Sequence, residues 1–386
     1  IMQSQCNDEE GRLERVKILK EELKVKDADI FKINGPIDLT FLMKLYGLEG
    51  CDDLRYKKYV PQRVPQIEPG EDIFAEIRKG DILMHHPYQT FDPVVDFIRQ
   101  AAKDPDVLAI KQTLYRVSGN SPIIASLAQA AENGKQVSVL VELKARFDEE
   151  NNIVWAKKLE KAGCHVIYGL VGLKTHSKIA LVVRREEDGI RRYVHLGTGN
   201  YNDSTAKLYT DCGIFTCSEA IGEDATAVFN MLSGYSEPLS WNRLVVAPIW
   251  LRKKFLKLIN RETKNAKEGG EGKIIAKMNS LCDKEIIAAL YEASAAGVQI
   301  DLIVRGICCL IPGQSYSRNI RVTRIVDSFL EHARIWYFGN DGTPKVFMGS
   351  PDWMRRNLYR RIEAITPILA PDLRDSLIEM LNIQLA

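Results

Sequence analysis

The chain has 386 residues, 45% of them apolar and 27% charged, with a formal net charge of +2 at neutral pH. That length holds two or three domains with ordinary cores, and 53 basic against 51 acidic side chains leave no global field to attract nucleic acid or an anionic membrane. No apolar run reaches the roughly 18 residues of a membrane span, no signal peptide is visible, and the eight cysteines show neither CxxC pairs nor zinc-finger spacing, the pattern of a reduced, cytosolic chain. Ile1 is not an initiator methionine, so a piece of a longer protein is expected.

In chain order, Asp8 to Lys24 predicts an amphipathic helix with Leu13, Val16, Leu19 and Leu23 near one face. Asp27 to Leu48 predicts a short strand, a Gly-Pro turn and a helix, and Cys51 to Gly70 reads as a linker. From near Ile73 the spacing predicts helices over Asp92–Lys103, Pro122–Asn133, Asn151–Ala162 and Ala220–Ser233. Strands are predicted over Val107–Thr113, Val137–Leu143, Cys164–Tyr168, Ser177–Arg184 and Arg191–Leu196. From about Leu244 come helices over Pro248–Lys267, Lys284–Ala295 and near Val322–Leu330, with strands over Lys273–Met278, Gln299–Val304, Arg334–Tyr337 and Lys345–Met348. Strands alternating with helices imply an α/β fold with mixed sheets flanked by helices.

The order of elements repeats. Ile123–Ala130 followed by Gly134–Glu142 corresponds to Ile286–Ala293 followed by Gly297–Arg305, at a constant offset of 163 residues (286 − 123). Each copy continues into a histidine with a basic residue two positions on, His176 with Lys178 and His332 with Arg334. A small-residue turn follows each, at Gly197-Thr198-Gly199-Asn200 and Gly349-Ser350-Pro351-Asp352. One histidine per copy predicts a single site at a pseudo-twofold interface, suited to phosphoryl chemistry. Residues two apart in a strand share a face, so Lys178 sits beside His176 and lowers the cost of bringing phosphate to it. Lys174 stands in the same segment, and His195 closes the strand before the glycine turn as a supporting or catalytic histidine. Arg116, Arg146 and Arg305 follow strands and converge at sheet ends as candidate phosphate clamps. Among the basic residues near the C-terminus, Arg361 is the candidate singled out. Tyr209 offers a ring for a base, although a core tyrosine fits its sequence context as well. His85 and His86 point apart in extended chain and suit no metal pair. Neither a P-loop nor a dinucleotide-binding glycine motif is present.

The doubled His-x-basic unit resembles the phospholipase D superfamily, with a departure: the aspartate expected five residues beyond the basic residue is Val183 in one copy and Gly339 in the other. The longer stretches HHPYQTFDPVVDF, DPDVLAIKQTLYRV, VELKARFDEENNI, LKTHSK, YVHLGTGNYN, LYTDCG, LIVRGICCL, FLEHARI and DWMRRNLYRRIE together resemble the bacterial polyphosphate kinases over the whole chain. That resemblance implies two phospholipase D-like domains at residues 71–243 and 244–386, the second cut short, preceded by the remnant of an α+β head domain and linker at 1–70. It implies reversible transfer of the ATP γ-phosphate to inorganic polyphosphate through a phosphohistidine at His176. His332 would be its acid/base partner and nucleotide contact, and His195 would be a further important histidine. Tyr209, Arg305, Lys174, Lys178 and Arg361 would bind the nucleotide and its phosphates, and Arg116 and Arg146 would hold phosphate oxygens that carry Mg²⁺. An arginine itself cannot ligate a cation.

The same resemblance implies ATP, ADP and polyphosphate as partners, no nucleic acid and a homo-oligomer in the full-length protein. It places that protein in the cytoplasm with room for peripheral association at the inner face of the membrane. In that family a further N-terminal domain contributes ATP and dimer contacts. A phosphodiesterase of the same superfamily and a non-catalytic polyanion-binding module are the alternative readings.

Overall fold

The computed structural model describes residues 8–117, 120–142, 149–170, 172–234 and 238–386, the side chains of Glu149 and Asn151 excepted. The chain divides into two compact units, Ile1–Lys58 and Tyr59–Ala386. In the first, the predicted helix forms over Glu9–Leu23, capped by Asp8, whose carboxylate accepts from the Gly11 N–H. The predicted short strand near residue 30 does not form: Ile30 ends a 3-10 turn at Asp27–Asp29, and a five-residue helix follows at Leu42–Tyr46. No described residue of this unit is buried, so no buried apolar face decides strand over loop there.

In the second unit the expected repeat is realised as two sheets. Among the described residues the first runs, edge to edge, Ile82–His86, Tyr209–Thr216, Gly189–Gly197, Ile179–Glu186, Val107–Leu114, Gln136–Val141 and His165–Ile167. The second runs Val245–Val246, Ala364–Pro367, Lys345–Gly349, Ile335–Phe338, Lys273–Met278, Gln299–Val304 and Ile320–Thr323. Position by position these are the same sheet built twice, three parallel strands on one side and an antiparallel set on the other.

Equivalent local chemistry makes equivalent elements. Ser121 caps the Pro122–Glu132 helix through the Ile124 N–H, and Asp283 caps Lys284–Ala295 through the Ile286 N–H. Each helix is followed by a glycine in the left-handed region, Gly134 at φ +81° and Gly297 at φ +103°. Helices cover the outer faces through two cores, around Ile110, Val139 and Phe97 in the first repeat and around Ile274, Leu302 and Trp336 in the second. A third core joins the inner faces: Leu181, Val194 and Ile214 of the first repeat cluster with Ile275, Ile303 and Ile335 of the second and with Leu377 of the C-terminal helix Pro371–Leu385. At about 1.5–3 kcal/mol for each fully buried aliphatic side chain, this shared layer binds the repeats as one body.

The helix predicted near Val322–Leu330 is corrected. Ile320–Thr323 is instead the edge strand beside Gln299–Val304, and Leu330–Glu331 pairs in parallel with Tyr209–Thr210 of the other repeat. The apolar residues at helical spacing there serve tertiary pairing, which overrides local propensity. No helix among the described residues is long and apolar enough to cross a membrane.

Candidate active site

Two very short strand pairs set the site. Lys174–Thr175 pairs in parallel with Arg361–Ile362, and Leu330–Glu331 pairs in parallel with Tyr209–Thr210. Each joins the strand entering one repeat's histidine to a strand of the opposite repeat. Parallel register then places the next residues side by side: His176 beside Glu363, and His332 beside Asp211. The His176 N–H donates to the Ile362 carbonyl at 2.9 Å and the His332 N–H to the Thr210 carbonyl at 3.2 Å. The His176 Nδ1 is 2.9 Å from Glu363 Oε2, and the His332 Nδ1 is 2.9 Å from both Asp211 oxygens. Each histidine is therefore oriented by a carboxylate from the other half of the molecule.

The flanking turns are duplicated as well. The Gly197 N–H donates to the Lys178 carbonyl at 3.1 Å and the Gly349 N–H to the Arg334 carbonyl at 3.2 Å. The Thr198 hydroxyl donates to Asp211 at 2.6 Å. A Cβ on Gly199 would lie 2.4 Å from Asp211 Oδ2, so the turn needs glycine because a carboxylate is packed against it. Gly199→Ala should therefore displace Asp211 and with it His332. We expect the low-field proton resonance of the His332 Nδ1–H to be lost, with the chain still folded by circular dichroism; an unchanged resonance would show that Asp211 does not set the His332 ring.

Around His176 the cations gather. The Lys178 ammonium donates to the His176 carbonyl and stands 5.2 Å from the Tyr115 ring, which meets the His176 ring edge-on at 4.8 Å. The half-buried Arg116 guanidinium lies 6.0 Å from the same Tyr115 ring. Lys174 and Arg361 are register partners, and Arg361 is 3.7 Å from Glu363, whose other contact is an N–H of Asn357. Around His332, Arg334 donates to its Nε2 at 3.0 Å and to its carbonyl at 2.9 Å, and Arg334 also pairs with Asp352 at 3.4 Å. The Tyr209 ring is 5.2 Å from the His332 ring. Arg305 is half-buried and donates to Asn279, which donates in turn to the His332 carbonyl.

Thus His176, His332, Lys174, Lys178, Tyr209, Arg305, Arg361 and Arg116 are brought to one junction, while Arg146 lies outside the described residues. His195 lines, with His86, a small cavity of about 20 Å³ that Asp211 also borders. Its Nδ1 meets the Tyr201 hydroxyl at 2.9 Å, and its ring stacks at 4.9 Å from Phe215.

Burial dominates the electrostatics. It pushes the His176 imidazole down to about 3, aided by Lys178 and Arg361 against the pull of Glu363, so the ring is neutral. Burial also draws the Lys178 ammonium down to about 7. Burial alone would raise Glu363, but His176, Lys178 and Arg361 outweigh it and hold the carboxyl near 2. His332 is lowered by burial and then by Arg334. Lys178 acts on His332 and Arg334 acts on Lys178, so the two dyads share one field. With Nδ1–H given to a carboxylate, each neutral ring keeps its lone pair on Nε2.

Five histidines are held neutral by the fold: His85 near 4, His176 and His195 near 3, and His86 and His332 also lowered, burial leading in each. The unfolded chain protonates them near 6.5, so it binds more protons below that pH, and stability falls as pH drops from there toward the folded values. Each contributes up to about 1.4 kcal/mol per pH unit in that window. The denaturant midpoint should fall steeply between pH 7 and pH 5; a flat profile would contradict neutral burial.

Sequence reasoning placed the two histidines but not their partners. Asp211 stood in a stretch valued for Tyr209, and Glu363 only inside a longer motif. The one usable signal is spacing: Asp211 follows His176 by 35 residues (211 − 176) and Glu363 follows His332 by 31 (363 − 332). Among the described residues no group of three His, Cys, Asp or Glu side chains forms a metal site. The nearby carboxylates Glu363 and Asp211 are already committed to imidazoles, so these residues do not fit a directly ligated Mg²⁺.

Residues 72–238 match the family model described as polyphosphate kinase C-terminal domain 1, and residues 244–386 match polyphosphate kinase C-terminal domain 2. The chain is 59% identical over 373 residues to the polyphosphate kinase of Halalkalibacterium halodurans, covering 96% of this chain and 53% of that protein. It is 53% identical over 385 residues to the polyphosphate kinase of a Synechocystis strain, covering 95% and 53%. The chain thus spans about half the length of the curated relatives it matches. Among solved structures, the polyphosphate kinase from Porphyromonas gingivalis superposes with a TM-score of 0.85 at 41% identity, over 96% of this chain and 57% of that one. The phosphatidylserine synthase of Haemophilus influenzae shares the fold alone, with a TM-score of 0.52 at 10% identity over 76% of this chain and 84% of that one.

Proposed function

The chain belongs to the polyphosphate kinase family, and from that premise we propose that its two repeats carry out reversible transfer of the ATP γ-phosphoryl group to inorganic polyphosphate through a phosphohistidine at His176. The observation that carries this reading is the His176–Glu363 pair formed across the repeat junction, which leaves a neutral ring with its lone pair on Nε2.

The His176 Nε2 attacks the γ-phosphorus in line. The N–P bond forms as the bond to the bridging oxygen breaks, and ADP leaves with that oxygen. Positive charge arising on the ring rests on the Nδ1–H donated to Glu363. In the second half-reaction a terminal oxygen of polyphosphate attacks the phosphorus, the N–P bond breaks, and the neutral ring returns. His332 is a base at rest, with Arg334 donating to its Nε2. Phosphate negative charge arriving beside it draws Arg334 to the phosphate and raises the proton affinity of the imidazole, so that Nε2 takes up a proton from solvent as the nucleotide binds; that proton passes to the departing ADP oxygen, and in the reverse direction Nε2 takes it back. The same arriving charge restores the Lys178 ammonium. Arg305, Arg361, Lys174 and Arg116 neutralise the polyanions, and Tyr209 beside His332 offers a face for the base. Mg²⁺ belongs to this scheme as part of the nucleotide substrate. Cytoplasmic placement, peripheral contact with the inner face of the membrane and a homo-oligomeric full-length protein are parts of the proposal that rest on the family resemblance alone.

The test is incubation of the intact protein and of this chain with γ-labelled ATP, followed by assay for acid-labile, alkali-stable label. Label on both supports the reading and shows that the two repeats suffice for the first half-reaction. Polyphosphate binding without label on the intact protein would leave a binding module in its place.

A further inference from the structure

In each repeat one position of the central strand anchors the strand that presents the histidine. Register identifies it. Thr113 pairs with Leu140, and Lys277 pairs with Ile303, where Leu140 and Ile303 are separated by the repeat offset (303 − 140 = 163). In the first repeat the Thr113 hydroxyl donates to the Ser177 carbonyl at 2.7 Å and accepts from the Ile179 N–H at 3.1 Å. It therefore grips the chain just after His176.

The second repeat uses a charge. Lys277 is 1% exposed and pairs with Glu331, the residue before His332. Glu331 also accepts from the Thr210 hydroxyl at 3.0 Å, the residue before Asp211. One carboxylate thus ties together the two strands whose next residues form the His332–Asp211 pair, and a buried ammonium holds that carboxylate. The ammonium's other partner is Gln384 Oε1, at 2.9 Å, on the C-terminal helix.

Stability is a weak reason for this arrangement. A buried ion pair often adds little over apolar residues of similar size, and the strand neighbours Ile275, Ala276 and Met278 are all buried apolar residues. The repeat comparison supplies a stronger reason. In the first repeat Glu142 accepts from the Thr175 N–H at 2.9 Å and holds the strand entering His176. The equivalent position in the second repeat is Arg305 (142 + 163), which has no acceptor to offer. An anchor lost at that position is replaced by Lys277 and Glu331.

We infer that Lys277 is a positioning residue for His332, acting through Glu331 to hold the His332 ring against Asp211. The inference rests on the reading of His332 as a participant in phosphotransfer. Lys277→Leu alone leaves a buried unpaired carboxylate and risks misfolding, so the decisive variant is Lys277→Leu with Glu331→Leu in the intact protein. Its thermal midpoint should stay near the parent's. Its kcat should fall about 10- to 100-fold, with KM for ATP changed by less than about twofold. The low-field proton resonance of the His332 Nδ1–H, identified by its loss in His332→Gln, should disappear. Lys277→Arg should recover most of the rate. Parent-like kcat, a KM effect alone, or persistence of the resonance in the double variant would overturn the inference. The resonance needs no turnover: its loss in the double variant of a protein that never labels would uphold the positioning role and reject the functional reading instead.

Discussion

Replacing His176 with glutamine in the intact protein is expected to lower phosphotransfer by about four orders of magnitude or more and to abolish acid-labile labelling. Glutamine fills a similar space and keeps a polar contact with Glu363, so the fold should persist. What disappears is the ring nitrogen lone pair that would bond to phosphorus, and no other described group has the same placement. The cations around it stay, so polyphosphate should still bind with affinity near the parent's. Retention of normal phosphotransfer in this variant would mean that the phosphoryl group passes directly between nucleotide and chain. Loss of binding together with rate would mean that the substitution had disturbed the cationic junction.

Glu363→Gln should cost about 10²- to 10⁴-fold in kcat, the range over which an imidazole loses the carboxylate that fixes its tautomer and supports its positive charge. Glu363 is 0% exposed and takes both the His176 Nδ1–H and an N–H of Asn357. The amide preserves size and one acceptor but removes the charge that balances Lys178 and Arg361. The effect should fall on phosphohistidine formation and on its discharge alike, because both pass through the charged ring. Asp211→Asn should instead act through His332, leaving the rate of label transfer from preformed phosphohistidine less affected than its formation. Equal rates for parent and Glu363→Gln, measured on protein with an unchanged melting midpoint, would remove the dyad from the mechanism.

Much of the fold was legible because the repeat is local. Helix caps at Ser121 and Asp283 and glycines at 134 and 297 are encoded within a dozen residues of the helices they close. The histidines were legible because each carries its basic partner two residues on. The carboxylates were not, because a pair 187 residues apart, His176 and Glu363, or 121 apart, Asp211 and His332, has no periodic trace. The strands that bring them together, such as Lys174–Thr175 and Arg361–Ile362, are two residues long and too short to show alternation. The segment 322–330 misled for the same reason: its apolar spacing is helical, and the strands its two ends join, Gln299–Val304 and Tyr209–Thr210, lie far from it in the sequence or in the opposite repeat. His195, read from its place at a strand end beside a glycine turn, packs on Phe215 and Tyr201 and lines a small cavity together with Asp211.

We propose that one junction built by both repeats selects one histidine, His176, as the residue that bonds to phosphorus. The most direct measurement is to trap the protein after brief exposure to ATP, digest it under alkaline conditions and locate the phosphate by mass spectrometry. Phosphate is expected on the peptide carrying His176 and none on the peptide carrying His332. Phosphate on His332, or on no histidine while polyphosphate is being made, would contradict it.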